Sequence, residues 1–218
     1  MRFHDRHHAG QALAEALKPH LEGPAIVYAL PRGGVPLAVE VARACSLPLD
    51  LVIPRKIGHP HQPEYAICAV TETGEPICNE DERRAVDPQW LAQRIEAERR
   101  EARRRRELYS GGQARRSARG RCAILVDDGI ATGLTMEAAV AEVRQDNPTR
   151  LIVAVPVAPR DTAERFAGLV DRFVAVQIPE FYAGAVGYYY EDFRQLSDRD
   201  VQEELARLPA AEPQPAEE

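Results

Sequence analysis

The chain predicts an α/β fold in which a mainly parallel, twisted sheet is flanked by helices, with a long charged helical insertion. Three observations carry this. Short continuous apolar runs occur at 25–30, 49–53, 122–126, 151–155 and 173–178, the pattern of parallel strands buried on both faces. Helix-patterned segments separate most of these runs. Strands alternating with helices at this spacing indicate a parallel sheet.

Taken in order, Leu13, Ala16, Leu17 and Leu21 recur at helical spacing and predict a first helix over 11–21. The first strand, Ala25 to Leu30, stops at Pro31-Arg32-Gly33-Gly34, and a helix follows from Val35 to Cys45. Leu49 to Ile53 is the second strand and ends at Pro54-Arg55-Lys56. Residues 65–70 and 76–78 suggest a hairpin around Thr73-Gly74, while 58–64 are Pro-rich and polar and read as a loop. An insertion occupies about 57–120, and within it 88–109 is dense in Arg and Glu with few apolar positions. Interleaved acids make it a largely solvated helix held by i,i+4 ion pairs. The alternative, a lid lending an Arg to the site, stays open. The core resumes at Cys122 to Val126, followed by a helix from Leu134 to Gln145, a helix near 161–169 between the last two strands, and a helix from Asp198 to Leu208. One domain over 1–208 and a disordered Pro/Ala/Glu tail over 209–218 complete the reading.

Composition narrows the function classes. Among 218 residues the net charge is −6, and nearly all positive charge is Arg, with Lys only at Lys18 and Lys56. The acidic balance argues against a nucleic-acid partner. No apolar run approaches the ~18 residues of a membrane span, and the N-terminus lacks a signal-peptide stretch, so a cytoplasmic location is expected. Cys45, Cys68, Cys78 and Cys122 show no C-x-x-C pair and no zinc spacing. They read as buried small hydrophobes rather than a disulfide set, which fits a reducing compartment.

In open parallel sheets, ligands sit beyond the carboxyl ends of the strands. Three loops fall there: 31–34, 54–58 and 127–135. The loop Asp127-Asp128-Gly129-Ile130-Ala131-Thr132-Gly133-Leu134-Thr135 joins a strand to a helix, so backbone N–H groups and the helix dipole converge on one point. Two acids beside such a nest suit sugar hydroxyls or a cation, and together they describe a ribose 5-phosphate site. The bland alternative is a capped helix after a buried strand. A Walker loop is excluded because no Gly-Lys-Ser/Thr occurs, and no Gly-x-Gly-x-x-Gly marks a dinucleotide site. Arg32-Gly33-Gly34 combines forked donors with backbone that can approach an anion. Lys56 follows a strand end, either toward an anion or as half of a solvated basic pair with Arg55. His59 and His61 read as exposed loop histidines rather than metal ligands.

Cys122 to Thr135 (apolar residues, two acids, a short loop, then Thr-Gly-x-Thr) resembles the signature of the type I phosphoribosyltransferases. Gly129 stands where many members carry an aliphatic residue. Leu30-Pro31-Arg32-Gly33-Gly34 is similar to that family's pyrophosphate loop, which often holds a non-proline cis peptide. Phe3-x-Asp5-Arg6 and Val186-Gly187-Tyr188-Tyr189-Tyr190-Glu191-Asp192-Phe193 resemble a little-characterised bacterial branch. The resemblance implies a small C-terminal hood region and displacement at C1 of 5-phosphoribosyl 1-diphosphate (PRPP) by a nitrogen acceptor, a nucleobase by preference, with Mg²⁺ as cofactor. It implies catalytic roles for Asp127, Asp128, Lys56 and Arg32. Ala131, Thr132, Gly133, Leu134 and Thr135 would hold the 5-phosphate. Arg32, Gly33, Gly34, Arg55 and Lys56 would hold pyrophosphate, Asp127 and Asp128 would hold the metal directly or through water, and Tyr188 or Tyr190 would stack on the acceptor. A closing mobile loop would follow Lys56. Expected partners are PRPP and a small-molecule acceptor, without nucleic acid or membrane, in a homodimer or monomer. A non-catalytic PRPP or nucleotide sensor is the alternative; the absence of a DNA-binding segment before residue 25 counts against it. An enzyme of phosphorolysis or hydrolysis is a third reading.

Overall fold

The computed structural model describes residues 2–208. Its core is a five-stranded parallel sheet in the order β2-β1-β6-β7-β8. The strands are β1 (Ala25–Ala29), β2 (Leu49–Leu51), β6 (Cys122–Val126), β7 (Arg150–Val157) and β8 (Arg172–Gln177). The apolar runs have a direct cause. Ala25, Val27 and Ala29 face one hydrophobic cluster, with α1 (Arg6–Leu17) and α2 (Gly34–Cys45). Ile26 and Tyr28 face the other, with α5 (Leu134–Arg144) and α6 (Arg160–Leu169). Both faces of the sheet are covered, so every position of β1 is buried.

Between β2 and β6 stands a second, antiparallel sheet, β3-β4-β5, made of β3 (Arg55–His59), β4 (Gln62–Val70) and β5 (Ile77–Cys78). Ile57, Ile67, Cys68 and Val70 form its small core with Val86 and Leu91. The short α3 (Glu80–Ala85) leads into α4 (Pro88–Ser110). The Asp87 side chain caps α4 by accepting from the Gln89 and Trp90 amides, Pro88 occupies its first turn, and Gly111 ends it in a left-handed conformation at φ 60°.

Several expectations are corrected. The first helix begins at Arg6 rather than residue 11, because the Asp5 carboxylate accepts from the His8 amide and starts it. Residues 58–64 are not a free loop: they form the end of the β3–β4 hairpin, where Gly58 pairs with Ala66 and His59 with Gln62, and His59 and His61 lie at its tip. Helix α4 is not largely solvated, since Leu91, Glu98, Ala102, Arg105, Arg106 and Tyr109 are buried. Cys68 and Cys78 form a disulfide, because the β4–β5 register sets them opposite one another with Cα atoms 4.0 Å apart. The cysteine argument for a reducing compartment falls with it. Cys122 is buried and Cys45 partly so. The proposed tail, 209–218, lies outside the described residues. No helix among the described residues is long and apolar enough to cross a membrane.

The chain's two ends meet over the sheet. The Phe3 amide donates to the Tyr189 carbonyl at 2.7 Å, and the Glu191 and Asp192 amides donate to the Phe3 and His4 carbonyls at 2.8 and 2.9 Å. The last helix, α7 (Asp198–Leu205), starts in a capping box between Ser197 and Asp200 and packs on α2 and α4.

Candidate functional site

Asp127 and Asp128 follow β6, and the first turn of α5 opens six residues later. The loop between them is held from behind. The Ile130 amide donates to the Val157 carbonyl at 3.0 Å, the Thr162 hydroxyl donates to the Ala131 carbonyl at 3.0 Å, and Arg165 donates to the Thr132 carbonyl. With those carbonyls engaged, Ala131, Thr132 and Gly133 donate no backbone hydrogen bond among the described residues. Gly133 takes φ 88°, and α5 has no side-chain cap. The result is an uncapped helix N-terminus with free N–H groups beside the Thr132 and Thr135 hydroxyls, which suits a phosphate.

The 31–34 loop abuts the acid pair. A Cβ on Gly33 would lie 2.1 Å from Asp128 Oδ2, and one on Gly34 would lie 2.5 Å from the Val126 carbonyl oxygen. Only glycine permits this approach. The Pro31–Arg32 peptide is cis. Arg32 is held by two partners: its Nε donates to Asp198 Oδ1 at 3.1 Å and its Nη1 to the Leu196 carbonyl at 2.8 Å.

Arg6 reaches the same acids. Its Nε and Nη2 both lie 2.9 Å from Asp128 Oδ2, its Nη1 donates to the Arg194 carbonyl, and its guanidinium sits 4.0 Å over the Phe193 ring. Burial pushes the Asp127 carboxyl well above the usual carboxylate range, and the neighbouring Asp128 charge adds to this. Burial also raises Asp128, against the opposing pull of Arg6. Two acids enclosed with one guanidinium leave room for further positive charge.

In front of these groups lies a cavity of about 590 Å³. Its lining includes the cations Arg6, Arg32, Arg55 and Arg105 with Gly33 and Asp128, and also Val186, Phe193, Gln195 and Leu196. Arg55 Nε donates to Glu98 Oε2 at 2.9 Å, and Arg105 Nε to Glu101 Oε1 at 2.8 Å.

Asp127, Gly34 and Ala131 to Thr135 are not among the residues lining this cavity, and three further sequence-predicted positions lie elsewhere. Lys56 is absent from the cavity lining and forms an exposed pair with Glu64 at 3.7 Å. It neighbours Arg55 in β3, and adjacent strand residues face opposite sides, so one of this basic pair faces the cavity and the other does not. Tyr190 is 1% exposed, and its hydroxyl donates to the Asp128 carbonyl at 2.6 Å. It supports the acid pair and has no face for an acceptor. Tyr188 is 66% exposed and does not line the cavity. No group of three or more metal-ligating side chains occurs among the described residues.

Sequence reasoning named no site role for Arg6, Phe193 or Gln195, and for the helix that carries Arg105 it left open only that some Arg is lent to the site. Arg6 and Phe193 were present in quoted motifs without an assigned partner. For Arg105 a signal existed: Leu91, Glu98, Ala102, Arg105 and Tyr109 recur at spacings of seven, four, three and four, one buried stripe of a helix.

Comparison with known proteins bears on this site. The family model described as the phosphoribosyl transferase domain matches residues 2–192. Two Mycobacterium tuberculosis proteins, each named "Putative phosphoribosyl transferase", are 42% identical over 207 residues. The match covers 91% of this chain and 45% of each relative, so the chain spans about half the length of those curated relatives. The crystal structure of TT1426 from Thermus thermophilus superposes with a TM-score of 0.78 at 44% identity, covering 95% of this chain and 99% of that one.

Proposed function

Because the chain belongs to the phosphoribosyl transferase domain family, we propose that it transfers the 5-phosphoribosyl group of PRPP to a nitrogen acceptor, by preference a nucleobase, releasing pyrophosphate with Mg²⁺ as cofactor. One observation carries this reading: a carboxylate pair at a strand end leads into a free-amide helix N-terminus, and Asp128 of that pair lines, with four arginines, a cavity of about 590 Å³.

The chemistry follows from that layout. The uncapped turn at Ala131 to Thr135 accepts the 5-phosphate and anchors the sugar. Asp127 and Asp128 accept from the ribose hydroxyls. The acceptor nitrogen forms its bond to C1 as the bond from C1 to the diphosphate oxygen breaks; the electron pair leaves with the diphosphate, and the proton the nitrogen gives up passes to solvent. Arg32 and Arg55, held in place by Asp198 and Glu98, neutralise that departing charge. Positioning supplies the remainder.

The acids also fit a cation. One oxygen of each is engaged, Asp127 Oδ1 by the Asp128 amide at 2.8 Å and Asp128 Oδ2 by Arg6, and the second oxygen of each is open. Two partly engaged carboxylates do not make an all-protein cage. They suit Mg²⁺, which keeps several waters and substrate oxygens. When bound, the ion would add charge neutralisation at the diphosphate.

A binding-only reading has one observation in its favour. Arg6 already takes one Asp128 oxygen, Oδ2, and a protein that binds PRPP without turning it over needs no freer acid. Pyrophosphate release from PRPP across a panel of bases, with and without Mg²⁺, separates the readings. Asp127→Asn with Asp128→Asn is expected to cut turnover by orders of magnitude while the far-ultraviolet spectrum is retained. Unchanged turnover in the double variant refutes the assignment.

A further inference from the structure

Helix α4 does more than brace the insertion. Arg105 lies on its inner stripe, 8% exposed, and lines the cavity. Its Nε is fixed by Glu101 at 2.8 Å. Its two Nη groups have no hydrogen-bond partner among the described residues. These donors are not among the buried unpartnered atoms, so they reach accessible space and are free for an anion that enters it. The open side of those donors is the cavity.

The same helix governs the other cavity arginines. Glu98 holds Arg55 at 2.9 Å. Arg104 Nη2 donates to Asp198 Oδ2 at 3.4 Å, the Tyr109 hydroxyl donates to Asp198 Oδ1, and Asp198 in turn holds Arg32. The bonds from Arg104 and Arg105 hold the Glu101 carboxyl down to about 2, and the Tyr109 bond lowers Asp198, so both acids stay ionised across neutral pH. Of the four lining arginines, α4 supplies one, holds a second directly and holds a third through Asp198. Arg6 is held instead by Asp128.

We propose that Arg105 is a direct anion-binding residue of this cavity, contacting the diphosphate through its two Nη groups, and that Glu98, Glu101 and Tyr109 are positioning residues that aim the surrounding arginines. The charged helix is thus one wall of the anion subsite. This rests on the PRPP reading for the identity of the anion; the unpartnered donors stand without it.

The test compares ligands that carry the diphosphate with one that lacks it. Binding of inorganic pyrophosphate, PRPP and ribose 5-phosphate is measured by titration calorimetry on the wild type, R105M, R105K and R103M. Arg103 is exposed on the opposite face of α4. R105M is expected to weaken pyrophosphate and PRPP by about 10- to 100-fold, the value of hydrogen bonds to a charged group, and to leave ribose 5-phosphate unchanged. R105K, which keeps charge but loses the fork, falls between. R103M matches the wild type. Should R105M fail to fold, R105K carries the same comparison. Equal loss for all three ligands points to a structural role and overturns the proposal, as does no loss at all. A wild type that binds pyrophosphate and PRPP without turnover removes the transferase reading and leaves Arg105 standing. A wild type that binds neither overturns both.

Discussion

Tyr190→Phe removes one oxygen atom from beneath the acid pair. The ring would stay where it is, 5.5 Å from Phe3 and 4.8 Å from Phe193 between ring centres, so packing is retained. What is lost is the 2.6 Å hydrogen bond to the Asp128 carbonyl. Leaving a buried acceptor unsatisfied costs about 1–3 kcal/mol. In a chain of this size each kcal/mol moves Tm by about 2–4 °C, so the expected fall is about 2–12 °C. Circular dichroism melts of wild type and variant measure it directly. A Tm within about 1 °C of wild type would refute the reasoning. It would also reopen the acceptor-stacking role, since phenylalanine keeps a stacking face and a Tyr190 ring turned toward a ligand would carry no structural hydrogen bond to lose.

Two further predictions concern charge. Burial raises the Asp127 carboxyl above its ordinary 3.8, so the folded state holds that proton to higher pH than the unfolded chain. That contribution is complete below the unfolded value and is lost as pH rises through the folded one. Asp127→Asn keeps the oxygen that accepts from the Asp128 amide and removes the charge. The ligand-free variant is expected to be more stable than wild type at neutral pH, with the gap closing toward pH 4; denaturant melts across that range check the sign. Arg106 bridges Asp50 at 3.0 Å and Glu72 at 2.9 Å with only 7% of its side chain exposed. Arg106→Met leaves Glu72 and Asp50 without their cation, Asp50 keeping the Leu51 and Arg116 amides, costing about 3–5 kcal/mol and lowering Tm by roughly 6–20 °C, as read by calorimetric unfolding.

The parallel core was legible because its cause is local. A strand covered on both faces must be apolar at every position, and β1, β6 and β7 read that way without knowledge of their neighbours. The loop from Asp127 to Thr135 was legible for a similar reason: acids, glycines and hydroxyls within nine residues form their own nest. The antiparallel insertion was harder. Gln62 to Tyr65 are all exposed and include a proline, so the hairpin end they form left only a loop-like composition. The Cys68–Cys78 bond depended on a strand register, which spacing along the chain does not encode.

By itself the sequence determined the fold class, the acid pair with the strand-to-helix loop that follows it, and the glycines at 33 and 34. These depend on residue type and near neighbours. Tertiary structure alone decided which cations face the cavity. Arg55 and Lys56 are adjacent and chemically alike, and the pleat of β3 turns one inward and the other outward. Arg103 to Arg106 are four identical side chains in a row, and helical phase buries two of them and exposes two. Arg6 meets Asp128 across 122 residues. A charge's role is set by direction and distance, and those exist only once the chain has folded.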